Sequence, residues 1–432
     1  MLRRGLVVLL VALGAWSLVA TAVAHDEHTP VVVLEIEKPA DQRLMDWVAD
    51  ELTSTDAHVF VLQVNSPGIS SGDPSRMYRA VAEARAPVVV WVGAAPAFAG
   101  GGMASLANLA DVGAAAPTVR FGYLTPTVQG SAETAPLRAD HPADEATEAL
   151  SKDVAVVTEP IPGYIDVVVP TVGQLIVDLD GTTITRPDGS IHALSTATRT
   201  TAEDGSEIVV LSRLVEFKKP GLFDRFLRLA AEPETAFFFL VAGIAAATFE
   251  FYAAGVGITA AIAVVALFLS GYGMATLPMN WLAVGSSVVG LWLFTWDFQR
   301  ARVGWRTALG ALFLLGGGLT FTTARPQFAP VWWIVVAVVI GAILFYTFAL
   351  STIARSRFST TTIGRGDLIG RTGIAETDFD PEGVVDVDGA RWRGRSHREA
   401  GIKAGVGVRV IAIDGVVLDI EPLSAEDEGV RD

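Results

Sequence analysis

The residue types that usually carry chemistry are thinly supplied in this chain of 432 residues. There is no cysteine, which removes disulfides, thiol nucleophiles and thiolate metal sites together. The six histidines are scattered without metal-ligand spacing, so neither a metal nor any other cofactor is expected. Glu250 and Asp297 stand at the ends of long apolar runs rather than inside them. That is the placement of interfacial residues at loops, not of an ion pathway. Arg391, Trp392, Arg393, Arg395 and Arg398 form a basic strand with one aromatic. Single-stranded nucleic acid asks for a basic groove with several stacking platforms, and a net charge of −15 also speaks against a polyanionic partner. A protein-contact surface on Trp392, Arg393 and Arg395, or a solvated strand, suits the segment better.

The elements around these residues fall into three parts. Residues 1–24 read as a signal peptide, or alternatively as an uncleaved anchor helix: Arg3 and Arg4, an uncharged run from Leu6 to Ala20, and a small-residue cleavage site at Ala22-Val23-Ala24. Residues 30–215 alternate strand and helix patterns. Val31–Ile36, Val59–Val64 and Val88–Val92 are β-branched runs suited to buried strands, and Asp41–Leu52, Ser75–Ala84 and Met103–Ala110 carry helical spacing. Such alternation implies a parallel sheet. Residues 128–160 are rich in Ala, Asp, Glu, Thr and Pro and read as weakly ordered. Thr182–Arg213 reads as β-hairpins. Residues 216–235 form a linker with a basic, amphipathic stretch at Leu222–Ala231.

Residues 236–353 hold about five apolar segments, each approaching the ~20 residues that cross a bilayer. Their ends carry Trp281, Trp296, Trp305, Trp332 and Trp333, as an interfacial aromatic belt does. Arg300, Arg302, Arg306, Arg355 and Arg357 cluster on one side, and Arg325 alone falls on the other. The positive-inside rule then puts the N-terminal domain outside the cytoplasm and the C-terminal domain inside, in a multi-pass protein of the cell membrane. Residues 362–424 suggest five short strands with turns at Asp380–Gly383, Asp388-Gly389 and Asp414-Gly415, enough for a small OB-type barrel. Residues 425–432 are an acidic tail. The fold class is therefore multi-domain: an α/β domain, a transmembrane helical bundle and a five-stranded β-barrel.

Several fragments carry a resemblance. They are NSPG at Asn65–Gly68, PVVVWV at Pro87–Val92, IDVVVPTVGQLIVDLDG from Ile165, EPETAFFFLVAGIAAATFEFYAAGVGI from Glu232, and GRTGIAETDFDPEGVVDVDGARWRGRS from Gly370. In their order and spacing the chain resembles the long form of the NfeD family, membrane-bound relatives of the Clp-protease and crotonase superfamily encoded with stomatin-like proteins. The resemblance implies a ClpP/crotonase-like first domain, self-association into a homo-oligomer, and a stomatin-like (SPFH) membrane protein as partner beside the lipid bilayer. It also implies a serine protease with a Ser–Lys dyad, in which a lysine kept neutral by burial takes the serine proton.

The motif that would hold the dyad is broken. The family's small-residue run after PVVVYV ends in A-S-A-G, whereas here it reads APAFAGGGM, and the serine position falls on Gly101. Of the family's Pro-Gly-Gly oxyanion turn only Gly68 remains, followed by Ile69. Lys152 is the one lysine between Lys38 and Lys218; it lies where the family carries its base, and as a solvated surface residue would look the same. Ser66, Ser70, Ser71 and Ser105 are nearby. The expectation is a pseudo-protease acting as a non-catalytic scaffold or partner. The alternatives are a membrane-bound serine protease that cuts apolar segments and, last, a transporter, for which the spans lack charge.

Overall fold

The computed structural model describes residues 29–131, 134–138, 144–186, 189–201, 207–253, 257–300, 304–323, 326–350, 368–396 and 401–423. Residues 1–24, read from the sequence as a signal peptide, and the acidic tail lie outside them, as do Arg302, Arg325, Arg355, Arg357 and Arg398. The chain divides into two compact units, Met1–Phe348 and Ala349–Asp432.

In the first unit the early strands are β1 (Val31–Glu37), β2 (Val59–Asn65), β3 (Val88–Val92), β4 (Phe98–Gly100), β5 (Val112–Ala115), β6 (Arg120–Gly122), β7 (Val154–Val156) and β8 (Val167–Val168). Three hairpin or edge pieces follow before the membrane: β9 (Thr183–Thr185) with β10 (Ile191–Ala193), β11 (Ala197–Thr201) with β12 (Glu207–Leu211), and β13 (Val215–Lys218). The main sheet has the order β13-β1-β2-β3-β5-β8, and every pairing in it is parallel. Strands covered on both faces can be apolar at every position, and all five residues of β3 are buried. A second sheet, β4-β6-β7, stands apart.

The helices α1 (Gln42–Ser54), α2 (Ser75–Ala82), α3 (Gly101–Leu109), α4 (Asp144–Lys152) and α5 (Val172–Asp178) cover these sheets. In α1 the Asp41 carboxylate accepts from the Leu44 N–H at 3.0 Å and starts the helix, a cap worth about 1 kcal/mol. Leu44, Met45, Val48, Ala49 and Leu52 then form its buried face. The stretch 128–160 departs from expectation, because α4 and β7 form within it. Leu150 is the buried anchor of α4, and β7 is secured by its antiparallel partner β6.

A short helix, α6 (Leu222–Leu227), and a 3-10 turn at Arg228–Ala230 lead into α7 (Pro233–Ala253), α8 (Ile258–Thr276), α9 (Trp281–Gln299), α10 (Trp305–Leu319) and α11 (Trp332–Leu344). Among the described residues four stretches are long and apolar enough to cross a membrane: Pro233–Tyr252, Ile258–Thr276, Trp281–Gln299 and Pro326–Ala349. The expected fifth, α10, has 15 residues, about 22 Å of helix against a hydrocarbon core of about 30 Å. Glu250 and Asp297 serve the loops. The Glu250 carboxylate accepts from the Gly257 N–H at 3.0 Å, and Asp297 accepts from the N–H and hydroxyl of Thr307, both at 2.9 Å.

The second unit holds β14 (Thr372–Ala375), β15 (Glu382–Val387), β16 (Ala390–Ser396), β17 (Gly407–Asp414) and β18 (Val417–Pro422), closed into a barrel in the order β14-β15-β16-β18-β17. Only the β16–β18 pairing is parallel. This is the five-stranded OB arrangement, filled by Phe379, Val385, Val387, Val408, Val410, Leu418 and Ile420.

Candidate functional site

The C-terminal ends of β2 and β3 and the start of α3 converge on the positions singled out by sequence. The turn after β2 is fixed to β4: the Ser66 N–H donates to the Phe98 carbonyl at 2.7 Å, and the Gly100 N–H donates to the Ser66 carbonyl at 3.0 Å. This lays Gly68 against the helix start. A Cβ placed on Gly101 would lie 3.5 Å from the Gly68 Cα and 3.3 Å from the Pro126 carbonyl oxygen. Gly101 also has φ of +54°, a left-handed conformation that a side chain disfavours by roughly 1–2 kcal/mol. The structure thus brings Gly68, Ile69 and Gly101 together, with only hydrogen at the centre.

A helix N-terminus offers unpaired N–H groups and is a natural place to stabilise an oxyanion. Here the chain uses them itself. The segment after β6 folds across the helix start. The Gly101 N–H donates to the Tyr123 carbonyl at 3.1 Å, and the Gly102 N–H to the Thr127 carbonyl at 3.0 Å. Ile69 forms a parallel bridge with Val128 on one side and with Ala40 on the other, and the Gln129 N–H donates to the Ile69 carbonyl at 3.0 Å. An extended peptide bound by strand addition needs a free edge, and both edges of Ile69 are taken. Leu124, Thr127 and Val128 are buried in this strap, and the Thr127 hydroxyl has no partner among the described residues. The composition of residues 123–129 carries no period, so sequence reasoning did not find it.

The remaining hydroxyls and amines do not meet. Ser70 Oγ donates to the Ala40 carbonyl at 3.0 Å and Ser105 Oγ to the Gly101 carbonyl at 3.4 Å, while Ser66 Oγ stays within its own turn. Among the described residues none of the three hydrogen-bonds to a lysine. Lys152 ends α4 with its side chain 75% exposed, paired with Glu148 at 3.0 Å; it lacks the burial on which a neutral lysine base relies. Lys38 pairs with Glu232 at 3.3 Å. Among the described residues no group of three or more His, Asp and Glu could hold a metal ion.

One residue from Ala40, the α/β domain meets the membrane helices. The Asp41 carboxylate accepts from the Tyr272 hydroxyl of α8 and lies 3.5 Å from Arg228. Arg228 is buried and also donates to the carbonyls of Glu37 and Pro39. Burial pushes its guanidinium pKa down, and the Asp41 carboxylate pulls the other way.

In the barrel the alternation of β16 separates the sequence-predicted residues. Trp392 packs against the core, and Arg393 and Arg395 lie on the opposite face. Their charges are answered locally: Arg393 by Glu382 at 2.8 Å, Arg395 by Asp419 at 3.2 Å and Asp414 at 3.4 Å, and Arg391 by Glu376 at 3.0 Å. The strand is a salt-bridged surface, not a cationic groove.

Two of the three parts match known domain families. Residues 234–350 match the NfeD integral membrane domain, and residues 365–422 match the NfeD-like C-terminal, partner-binding domain. A membrane-bound protease, PH1510 of Pyrococcus horikoshii, is 23% identical over 84% of this chain and 86% of its own. Among solved structures, the C-terminal domain of stomatin operon partner protein 1510-C from P. horikoshii is 32% identical over 14% of this chain and 97% of its own (TM-score 0.14). The 1510-N membrane protease of the same organism, specific for a stomatin homologue, is 16% identical over 46% of this chain and 96% of its own (TM-score 0.34). An α/β domain, an NfeD integral membrane domain and an NfeD-like C-terminal domain follow one another in a single chain, and the protein belongs to the NfeD family in its long form.

Proposed function

We propose that the protein is a non-catalytic scaffold that holds a stomatin-like membrane protein at the bilayer, with its barrel as the docking module. The observation that carries this reading is the state of the α3 N-terminus. Position 101 has no hydroxyl, and the N–H groups of Gly101 and Gly102 are bonded to the chain's own carbonyls. Loss of a nucleophile removes several powers of ten in rate, so the α/β domain serves as a structural part. The family description of the C-terminal domain as partner-binding supports the role of the barrel. Purification of the full chain in mild detergent with its stomatin-like neighbour is the test. The partner is retained, and it is lost when residues 365–422 are removed. Labelling of the chain by a serine-directed phosphonate, or recovery of the partner as cut fragments, would establish the protease instead.

The α/β domain lies outside the cytoplasm and the barrel within it. An odd number of crossings is supported at α10. Beyond its last turn the chain returns to the start of α9: the Asn280 N–H donates to the Phe321 carbonyl at 3.0 Å, and the Thr323 N–H to the Pro278 carbonyl at 2.8 Å. Residues 305–322 therefore cover the height that α9 covers. Cysteines introduced at Thr200 and at Lys403, the only two in the chain, react with an impermeant maleimide from opposite sides; reaction from one side would refute this. Self-association is supported by the ribbon β11–β12, which pairs with no other strand among the described residues and exposes Ile208, Val209, Val210 and Leu211. Exposed apolar edges of this kind are normally covered. Val209→Lys lowers the mass measured by light scattering if this ribbon joins copies.

A further inference from the structure

The segment between the α/β domain and the first span has two apolar faces: protein buries one, and the other borders the α/β domain, with Arg43 5.6 Å over the Phe223 ring, but stays largely open. On the inner face Leu227, Arg228 and Ala230 are buried. The Ala230 carbonyl lies so close to Gly273 of α8 that a Cβ there would come within 2.5 Å of it. On the outer face Leu222, Phe223, Phe226 and Leu229 are 82%, 59%, 37% and 46% exposed. Their spacing places them along one side of a helical segment, and four large apolar side chains in eight residues are too many to leave in water without a reason.

The position of the segment identifies what covers that face. The turn Arg228–Ala230 precedes the span that opens at Pro233, and it packs on the last turns of α8, whose Tyr272 reaches Asp41. Trp281, Trp332 and Trp333 are exposed at the starts of α9 and α11, which lie at this same end of the bundle because the chain runs down α7 and back up α8. Tryptophans at helix ends mark the level of the lipid headgroups. The outer face of α6 stands at that level, beyond the rim of the bundle. Lys218 and Lys219 flank it, paired with Glu51 and Glu35, and Arg225 is exposed on α6 itself.

The geometry points to a lipid-seated helix: α6 and the 3-10 turn lie in the plane of the bilayer interface, with Leu222, Phe223, Phe226 and Leu229 inserted among headgroups and upper acyl chains. This goes beyond the scaffold reading and does not depend on it, since it concerns how the α/β domain is held on the membrane. A short helix of this kind binds through apolar area and keeps its polar side toward water. Here the polar side is replaced by the α/β domain, so the seat fixes that domain's height above the bilayer.

The chain has no cysteine, which makes single-cysteine probes unambiguous. Leu222→Cys, Phe226→Cys and Leu229→Cys, with Thr200→Cys on the distant ribbon as control, are made in the full chain. Each carries a nitroxide and is reconstituted, one chain per disc, into nanodiscs of phosphatidylcholine and phosphatidylglycerol. Insertion lowers collision with a water-soluble nickel chelate at least about threefold relative to position 200 and raises collision with oxygen, as burial in the headgroup and acyl boundary requires. Three probes that collide with the chelate as freely as position 200 overturn the proposal, and leave that face to a protein partner. The outcome is independent of whether a stomatin-like protein binds the barrel.

Discussion

Position 101 shows why a missing side chain is not simply restored. A serine there must adopt φ of +54°, and its Cβ must sit 3.3 Å from the Pro126 carbonyl oxygen. Gly101→Ser is expected to lower stability by roughly 1–2 kcal/mol. It is also expected to leave the chain unlabelled by a serine-directed phosphonate, because no buried amine among the described residues faces the position and Tyr123 and Thr127 hold the N–H groups. Labelling at a rate typical of serine proteases would show that the strap opens and a base arrives. A second residue-scale expectation concerns the barrel. The Ala404 N–H, and then Lys403, hold the Asp378 carboxyl below the usual carboxylate range. A depressed value means that the folded form binds its proton later than the unfolded one. The gain is therefore present above the unfolded pKa of about 3.9 and lost as pH falls through the lower folded value. The stability difference between the parent and Asp378→Ala, measured by denaturant titration of the barrel, is expected at pH 6 and should shrink as pH falls below about 3.9. A difference that does not change with pH across this range would remove the carboxylate from the explanation.

Among the elements, those whose period is long and uniform are legible in the sequence. The Val-rich runs became the central strands β1, β2 and β3 because a parallel sheet is apolar on both faces, and Asp388-Gly389 and Asp414-Gly415 closed the barrel hairpins where turn chemistry required. The three-residue strands β4, β6 and β7 are not legible. Gly and Ala there signal a turn, and only non-local pairing makes them a sheet. The same holds for the strap at 123–129, whose partners Gly101, Gly102 and Ile69 are far away in sequence. Around the candidate site, the glycine at 101 is legible in the sequence and the occupation of its N–H groups by the strap is not. The membrane helices offer an element-scale test. On α10, a Cβ on Gly310 would approach the Gly290 carbonyl oxygen of α9 to 2.8 Å, whereas a Cβ on Gly316 meets nothing within 4 Å. Alanine at 316 should stabilise by about 0.5–1 kcal/mol through helix propensity. Alanine at 310 should instead cost about 1–3 kcal/mol, because two backbones must part. Equal effects in detergent unfolding would mean that the close contact of α9 and α10 contributes nothing.

At the scale of the molecule, the α/β domain and the membrane helices belong to one compact unit, and a few polar residues join them. Asp41 is the hub: it caps α1, accepts from Leu44 and Tyr272, and lies 3.5 Å from the Arg228 guanidinium. Its neighbour Ala40 bridges to Ile69, which bridges to Val128 in the strap. Ala40, the start of this path, is one residue away from the anchor on α8, so a change at the membrane has a short physical route to the strap. Removing the Asp41 side chain takes from the buried Arg228 its nearest carboxylate, and Asp41→Ala is expected to cost about 3–5 kcal/mol. Tyr272→Phe leaves Asp41 with Arg228 and the cap, and should cost only about 1 kcal/mol. The two changes share one contact, so the double variant should be less damaged than the sum of the singles by roughly 0.5–3 kcal/mol. Denaturant unfolding of the full chain in lipid nanodiscs measures all three. Strict additivity would mean that the hydroxyl of Tyr272 and the carboxylate of Asp41 do not act together, and that some other contact couples the α/β domain to the bundle.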